Sequence, residues 1–356
     1  VTESSRNDRT TTRVSCRGEG TAGPGEPLTA ERYVEEIRRG NRVVLGQAIT
    51  LIESTRPEHT ELALQIIERC MPYTGRSLRI GVTGAPGVGK STFIDAFGTY
   101  LTRDVGRRVA VLTVDPTSQR TGGSILGDKT RMQRLSTDPM AFIRPSPSGG
   151  SLGGVARKTR ETVLLCEAAG YDTIIVETVG VGQSESTVRS LVDFFLLLVL
   201  AGAGDELQGI KRGVMELADA IAITKADGPN KPRAEQARRI YANALSLFPP
   251  TESGWKPTVL TCSAVTGDGI EEIWSTVLRY HEHVSRSSHL EKMRKDQRTS
   301  WLRETIEAEL TESFYGDPEI RRELAVVERK VREGRLSPFS GARELLELYW
   351  SRKGRR

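Results

Sequence analysis

One short stretch limits the folds open to this chain: Gly84-Ala85-Pro86-Gly87-Val88-Gly89-Lys90-Ser91, followed by Thr92. It fits the pattern GxxxxGK[ST] in full, after an apolar β-like run from Leu78 to Thr83 and before a helical pattern. Average residue frequencies give a chance match somewhere in such a chain at a level on the order of a few per cent, before that context is required. Closely spaced glycines let backbone N–H groups converge on phosphate oxygens, and the N-terminus of the following helix adds its dipole. In that geometry Lys90 reaches the β and γ phosphates and Ser91 ligates Mg²⁺. A glycine-rich turn without a ligand would leave the lysine unexplained.

Beyond Gly75 short β-rich apolar runs alternate with helical stretches, the pattern of a parallel sheet with crossover helices. The strand candidates are Leu78 to Thr83, Val109 to Val114, Ala141 to Ile143, Thr173 to Val176, Asp193 to Leu200, Ala220 to Thr224 and Thr258 to Cys262. Runs without a polar break, such as Phe194 to Leu200, imply burial on both faces, as in a doubly wound sheet. The expected fold is therefore α/β, a mostly parallel sheet flanked by helices and carrying the phosphate loop.

Several other strand exits carry chemistry. In Asp172 to Gly180, four apolar β-formers lead to Glu177 and then Gly180. A carboxylate at the carboxyl end of such a strand lies in the ligand crevice, where it can hold or back Mg²⁺, and the Gly180 N–H can face a γ-phosphate. Thr224-Lys225-Ala226-Asp227 also ends an apolar run. Asp227 can accept two hydrogen bonds from guanine, from N1–H and the exocyclic amine, and adenine offers no matching donor pair. The Lys225 stem can cover the base. Ser263 and Ala264, in Thr261-Cys262-Ser263-Ala264, make a second candidate base loop. Asp115 and Asp128 are candidates to support Mg²⁺ or position water, and Lys211 closes a glycine-rich loop, Ala201 to Lys211, that looks built to move. Gly149 to Gly154 reads either as a loop near the phosphates or as a linker. His281 and His283, two apart, face opposite sides of a helix and read as solvated side chains rather than a metal pair.

The flanks differ in texture. Residues Val1 to Pro27 have almost no large apolar side chains and read as a disordered arm, followed by two or three short helices over 28–75. The nucleotide-binding unit spans 76–284. From Ser285 the pattern is purely helical, with stripes at Leu302, Ile306, Leu310 and Phe314 and at Ile320, Leu324, Val327 and Val331. An apolar stripe on an appended arm over 285–356 must be covered by its own helices or by a second subunit.

Charge and cysteine usage exclude other classes. Of the +5 net charge, most sits beyond Ser285, where 17 basic and 13 acidic residues largely alternate in sign. A nucleic-acid binder would concentrate that charge in a stripe. The longest apolar run, Phe194 to Ala201, is far short of the ~20 residues of a membrane helix. Cys16, Cys70, Cys166 and Cys262 stand apart with no CxxC pair, which fits reduced thiols and a cytoplasmic location.

Taken together, GAPGVGKS, VDPTSQRTGGSILGDKTRM, FIRPSPSGGSLGGVARKTRETVLLCEAAGYD, ETVGVGQSE and AGAGDELQGIKRG make the chain resemble the methylmalonyl-CoA mutase-associated GTPases, from about Thr29 to Tyr349. That resemblance implies a GTPase of the metallochaperone-like P-loop class that binds an adenosylcobalamin-dependent mutase, gates cofactor delivery and protects the enzyme from inactivation. It also implies a homodimer built through the C-terminal arm. Position by position it implies phosphate contact at Lys90, Mg²⁺ at Ser91, metal or switch roles at Asp115, Asp128 and Glu177, and an extra switch loop at Lys211. The departure is Thr224, where the family usually has asparagine. Two rivals are a nickel metallochaperone, which needs clustered Cys or His that this chain lacks, and an ATP-dependent kinase, which needs no guanine-selective aspartate.

Overall fold

The computed structural model describes residues 28–54, 56–114, 132–145, 152–178, 184–201 and 212–353. Asp115, Asp128, Gly180 and Lys211, the arm up to Pro27 and the Gly149 end of the glycine loop lie outside the described residues.

Seven strands form one sheet: β1 (Leu78–Gly84), β2 (Val109–Val114), β3 (Ala141–Pro145), β4 (Thr173–Thr178), β5 (Phe194–Leu200), β6 (Ala220–Thr224) and β7 (Thr258–Thr261). Their order is β3-β2-β4-β1-β5-β6-β7, and every pairing is parallel. All seven runs expected from the sequence are strands. Asp193 falls just before β5, where its carboxylate accepts from the Arg79 N–H at 2.9 Å.

The helices are, in chain order, α1 (Ala30–Arg38), α2 (Arg42–Glu53), α3 (Pro57–Cys70), α4 (Lys90–Arg103), α5 (Gln133–Ser136), α6 (Leu152–Ala168) and α7 (Ser184–Arg189). They continue as α8 (Arg212–Leu217), α9 (Lys231–Leu245), α10 (Ile270–Arg286), α11 (His289–Gly316), α12 (Pro318–Arg332) and α13 (Pro338–Lys353). Local chemistry sets several of the ends. Thr29 caps α1, Asn41 caps α2, and Asp317 with Pro318 stops α11 and starts α12 by accepting from the N–H groups of Glu319 and Ile320.

Alternation along the strands decides which helices cover which face. In β2, Ala110, Leu112 and Val114 join a core with α1, α2, α3, α6 and α7, while Val109 and Val111 join a second core with α4, α5 and α10. In β5, Phe194, Leu196 and Leu198 belong to that second core, and Leu197 and Val199 pack with α9. Both faces are thus buried, which is why these strands read as continuous apolar runs. β1 lies between β4 and β5, at the point where the chain turns from building one half of the sheet to building the other. Since all strands run the same way, the ends of β1, β4, β6 and β7 share one edge.

Candidate nucleotide site

β1 runs into the loop through Gly84. A Cβ there would stand 2.5 Å from the Leu198 carbonyl oxygen of β5, so only glycine lets the two backbones approach this closely. The loop closes at Gly89, which has a φ of 97° and caps α4 without a side chain. The first-turn N–H dipoles of α4 therefore point into the loop, an arrangement suited to an anion. Ala85, Pro86 and Gly87 are exposed, and Val88 is buried as the loop's anchor.

Lys90 opens α4 and is 8 % exposed. Its Nζ donates to the carbonyls of Gly84 at 2.7 Å and Ala85 at 3.3 Å, so the ammonium lies across the loop. Burial draws its pKa below the ordinary lysine value, and the carboxylates of Glu177 and Glu185 oppose that shift. Ser91 donates from Oγ to Glu177 Oε1 at 3.1 Å. Glu177 is buried in β4, in register with Val82 of β1 and Thr113 of β2. Behind it the Thr83 and Thr178 hydroxyls are 2.8 Å apart and tie the ends of β1 and β4 together. A lysine, a hydroxyl and a carboxylate thus meet around the helix start, and the donor set suits a phosphate with a hard cation such as Mg²⁺. Thr92, the next residue of α4, is exposed.

The second part of the site is bolted to the first. Thr224 ends β6 and donates its single hydroxyl proton toward the Val88 carbonyl at 2.9 Å and the Val199 carbonyl at 3.3 Å. Lys225, with φ 56°, turns its Nζ to the Gly87 carbonyl at 3.1 Å. Asn230 holds this turn by donating to the Lys225 carbonyl at 2.7 Å. Asp227 Oδ2 accepts from Ser263 Oγ at 2.6 Å, and that hydroxyl accepts from the N–H groups of Val265 and Thr266, each at 3.2 Å. Ser263 is fully buried and Ala264 half-buried, so the loop after β7 orients the Asp227 carboxylate, which is the acceptor guanine needs.

Of the residues proposed from the sequence, the fold therefore gathers the phosphate loop, Lys90, Ser91, Glu177, Thr224, Lys225, Asp227, Ser263 and Ala264 on one edge of the sheet. Residues not anticipated are Glu185, at 9 % exposure in the first turn of α7, Asn230, and the Thr83–Thr178 pair. Glu185 stands in the ETVGVGQSE stretch, which was the one signal available. His283 is not a solvated side chain: its Nε2 lies 2.8 Å from the Ser253 carbonyl, against Trp255. Among the described residues no group of three or more His, Cys, Asp or Glu is placed to hold a metal ion.

Comparison with known proteins agrees with this geometry. The chain is 49% identical over 320 residues to a probable GTPase of Mycobacterium tuberculosis, covering 90% of this chain and 95% of that one. It is 44% identical to the mitochondrial methylmalonic aciduria type A homolog of Mus musculus, over 92% of this chain and 81% of the other. A crystal structure described as an LAO/AO transport system kinase superposes with a TM-score of 0.71 at 40% identity, covering 92% of this chain and 99% of that one. The profile of the methylmalonyl-CoA mutase-associated GTPase MeaB matches residues 45–319, and the chain belongs to that family.

Proposed function

We propose that this GTPase is a chaperone for an adenosylcobalamin-dependent mutase, in the first place methylmalonyl-CoA mutase, whose cofactor loading it gates and which it protects from inactivation. The family's description, the relationship to methylmalonic aciduria type A proteins and the assembled nucleotide site support the reading. The observation that carries it is the match of the methylmalonyl-CoA mutase-associated GTPase family over residues 45–319, and the bonds from Thr224 and Lys225 to the phosphate loop support the nucleotide part of the reading.

In this reading Lys90 exchanges the Gly84 and Ala85 carbonyls for the β and γ phosphate oxygens of GTP, and Asp227 accepts from the guanine edge. Ser91 would ligate Mg²⁺ with Glu177 behind it, and the cation would neutralise charge that develops on the phosphates. Asp115, Asp128, Gly180 and Lys211 keep the metal, water and switch roles assigned from the sequence. The protein performs little covalent work and acts by positioning and charge compensation.

We assign the arm beyond Ser285 to a homodimer. Leu302, Ile306 and Leu310 are exposed on α11, and a cavity of about 750 Å³ lies between α11, α12 and α13, lined by Phe314, Leu324, Val331, Leu345 and Trp350. A second copy would cover both. No helix among the described residues is long and apolar enough to cross a membrane. A cytoplasmic site of action belongs to the proposal.

Size-exclusion chromatography of the chain mixed with purified methylmalonyl-CoA mutase tests the partner. Co-elution that depends on whether GDP or a non-hydrolysable GTP analogue is present is expected. Separate elution with either nucleotide would overturn the chaperone reading and leave the GTPase in place.

A further inference from the structure

Helix α11 grips the edge of the sheet that lies opposite the phosphate loop. Trp301 Nε1 donates to the Ser190 carbonyl at 3.1 Å and Gln297 Nε2 to the Val192 carbonyl at 2.9 Å. Arg294 donates to both carboxylate oxygens of Asp193, at 2.9 and 2.6 Å, and to the Gly75 and Ser77 carbonyls at 2.6 and 2.7 Å. Beside these contacts the packing leaves room. A cavity of about 340 Å³ opens between the turn after α3, the base of β1, α6 and α11. That volume falls at the small end of the range for sites that take small molecules.

Its wall is of two kinds. Met71, Leu164, Leu290 and the Trp301 ring offer apolar surface, and Arg79, Arg294 and Arg298 bring guanidinium groups. Most of the charge here is compensated. Arg294 is taken by Asp193, and Glu291, the one carboxylate of the wall, bonds to Lys295 at 2.7 Å. Glu167 takes Nε and Nη2 of Arg79 at 2.9 and 3.1 Å and leaves Nη1 for another acceptor, although that side chain is only 5 % exposed. A guanidinium donor so deeply placed is costly until an acceptor meets it. Arg298 forms no ion pair with any described residue and acts on Glu291 only through space. The wall therefore carries one positive charge in excess, a buried donor open to a further acceptor and an aromatic face.

We propose that this cavity binds a small organic carboxylate, a monoanion whose apolar body lies against Trp301 and Leu164 and whose carboxylate is held by Arg298 and Arg79. The flat fork of arginine suits the two oxygens of a carboxylate. One negative charge matches the one in excess, and a phosphate dianion would bring a second that Glu167 and Asp193 oppose. Because α6, α11 and the base of β1 share the wall, the bound acid bridges the C-terminal arm to the core.

Isothermal titration of the full chain, loaded with GDP so that an acid cannot enter the phosphate loop, tests this with benzoate, phenylacetate and 4-methylpentanoate. At least one should bind with a Kd of about 1 mM or tighter. Benzamide, which keeps the shape of benzoate and loses the charge, should bind about tenfold more weakly or worse. Arg298→Gln removes a side chain that no described residue pairs with, so GDP binding should persist while the acid's affinity falls about tenfold or more. Leu164→Trp fills the cavity and should abolish binding of the acid. Inorganic phosphate should not displace it. No saturable binding of any of the three acids up to about 10 mM would overturn the site. Affinity undiminished in both variants would place the acid elsewhere and overturn it equally, and benzamide binding as tightly as benzoate, or displacement by phosphate at equal concentration, would overturn the carboxylate as its ligand.

Discussion

Thr224 joins two loops of the site through one hydroxyl. Its hydroxyl bridges the end of β6 to the Val88 carbonyl of the phosphate loop, so the turn proposed to recognise the base is tied to that loop. Replacing it with valine keeps the shape and removes one hydrogen bond, worth about 0.5–1.5 kcal/mol. The KM for GTP should rise about three- to tenfold in Thr224→Val while the preference for GTP over ATP persists. An unchanged KM would show that the bond does not tie the two loops. Asp227 is different in kind, because Ser263 fixes its carboxylate rather than its backbone. In Asp227→Asn the amide donates where the carboxylate accepted, so selectivity should move from guanine toward xanthine nucleotides in competition binding. Intact GTP selectivity in that variant would remove Asp227 from the base pocket.

At the scale of elements, the strands were legible and the seams between helices were not. Phe194 to Leu200 announces itself because both faces of β5 are buried, and Gly84 to Ser91 because a phosphate loop is contiguous in sequence. The meeting of Ser91 with Glu177 could be foreseen only through the fold, since parallel strands bring their carboxyl ends to one edge. Gln297 and Trp301 had no such signal. A side chain that donates to a main-chain carbonyl more than a hundred positions away leaves no local pattern in the sequence. That grip also bears on where the arm can be cut. Ending the chain at Ser285 removes Arg294, Gln297 and Trp301 and uncovers the bases of β1 and β5. Ending it at Gly316 keeps them and removes α12 and α13. The shorter arm should still bind GTP but run as a monomer in light scattering, and a persistent dimer would assign the self-association to α11 or to another surface.

For the whole molecule, the two edges of one sheet are put to different uses. The carboxyl edge gathers Lys90, Ser91, Glu177, Thr224 and Asp227, the residues proposed to hold the nucleotide. The opposite edge holds a buried network of Arg79, Glu167, Asp193 and Arg294, with Arg79 Nε 2.9 Å from Glu167 Oε1, and fastens the arm to the core. Breaking such a buried pair by removing one partner costs about 3–5 kcal/mol, so the start of α11 is seated firmly on the sheet. The most direct measurement is the rate of GTP hydrolysis by the purified chain, with ATP as control, alone and with methylmalonyl-CoA mutase. A GTP-selective rate that rises when the mutase is added is the predicted result, and a GTP rate indifferent to the mutase would contradict the assignment of that enzyme as its client.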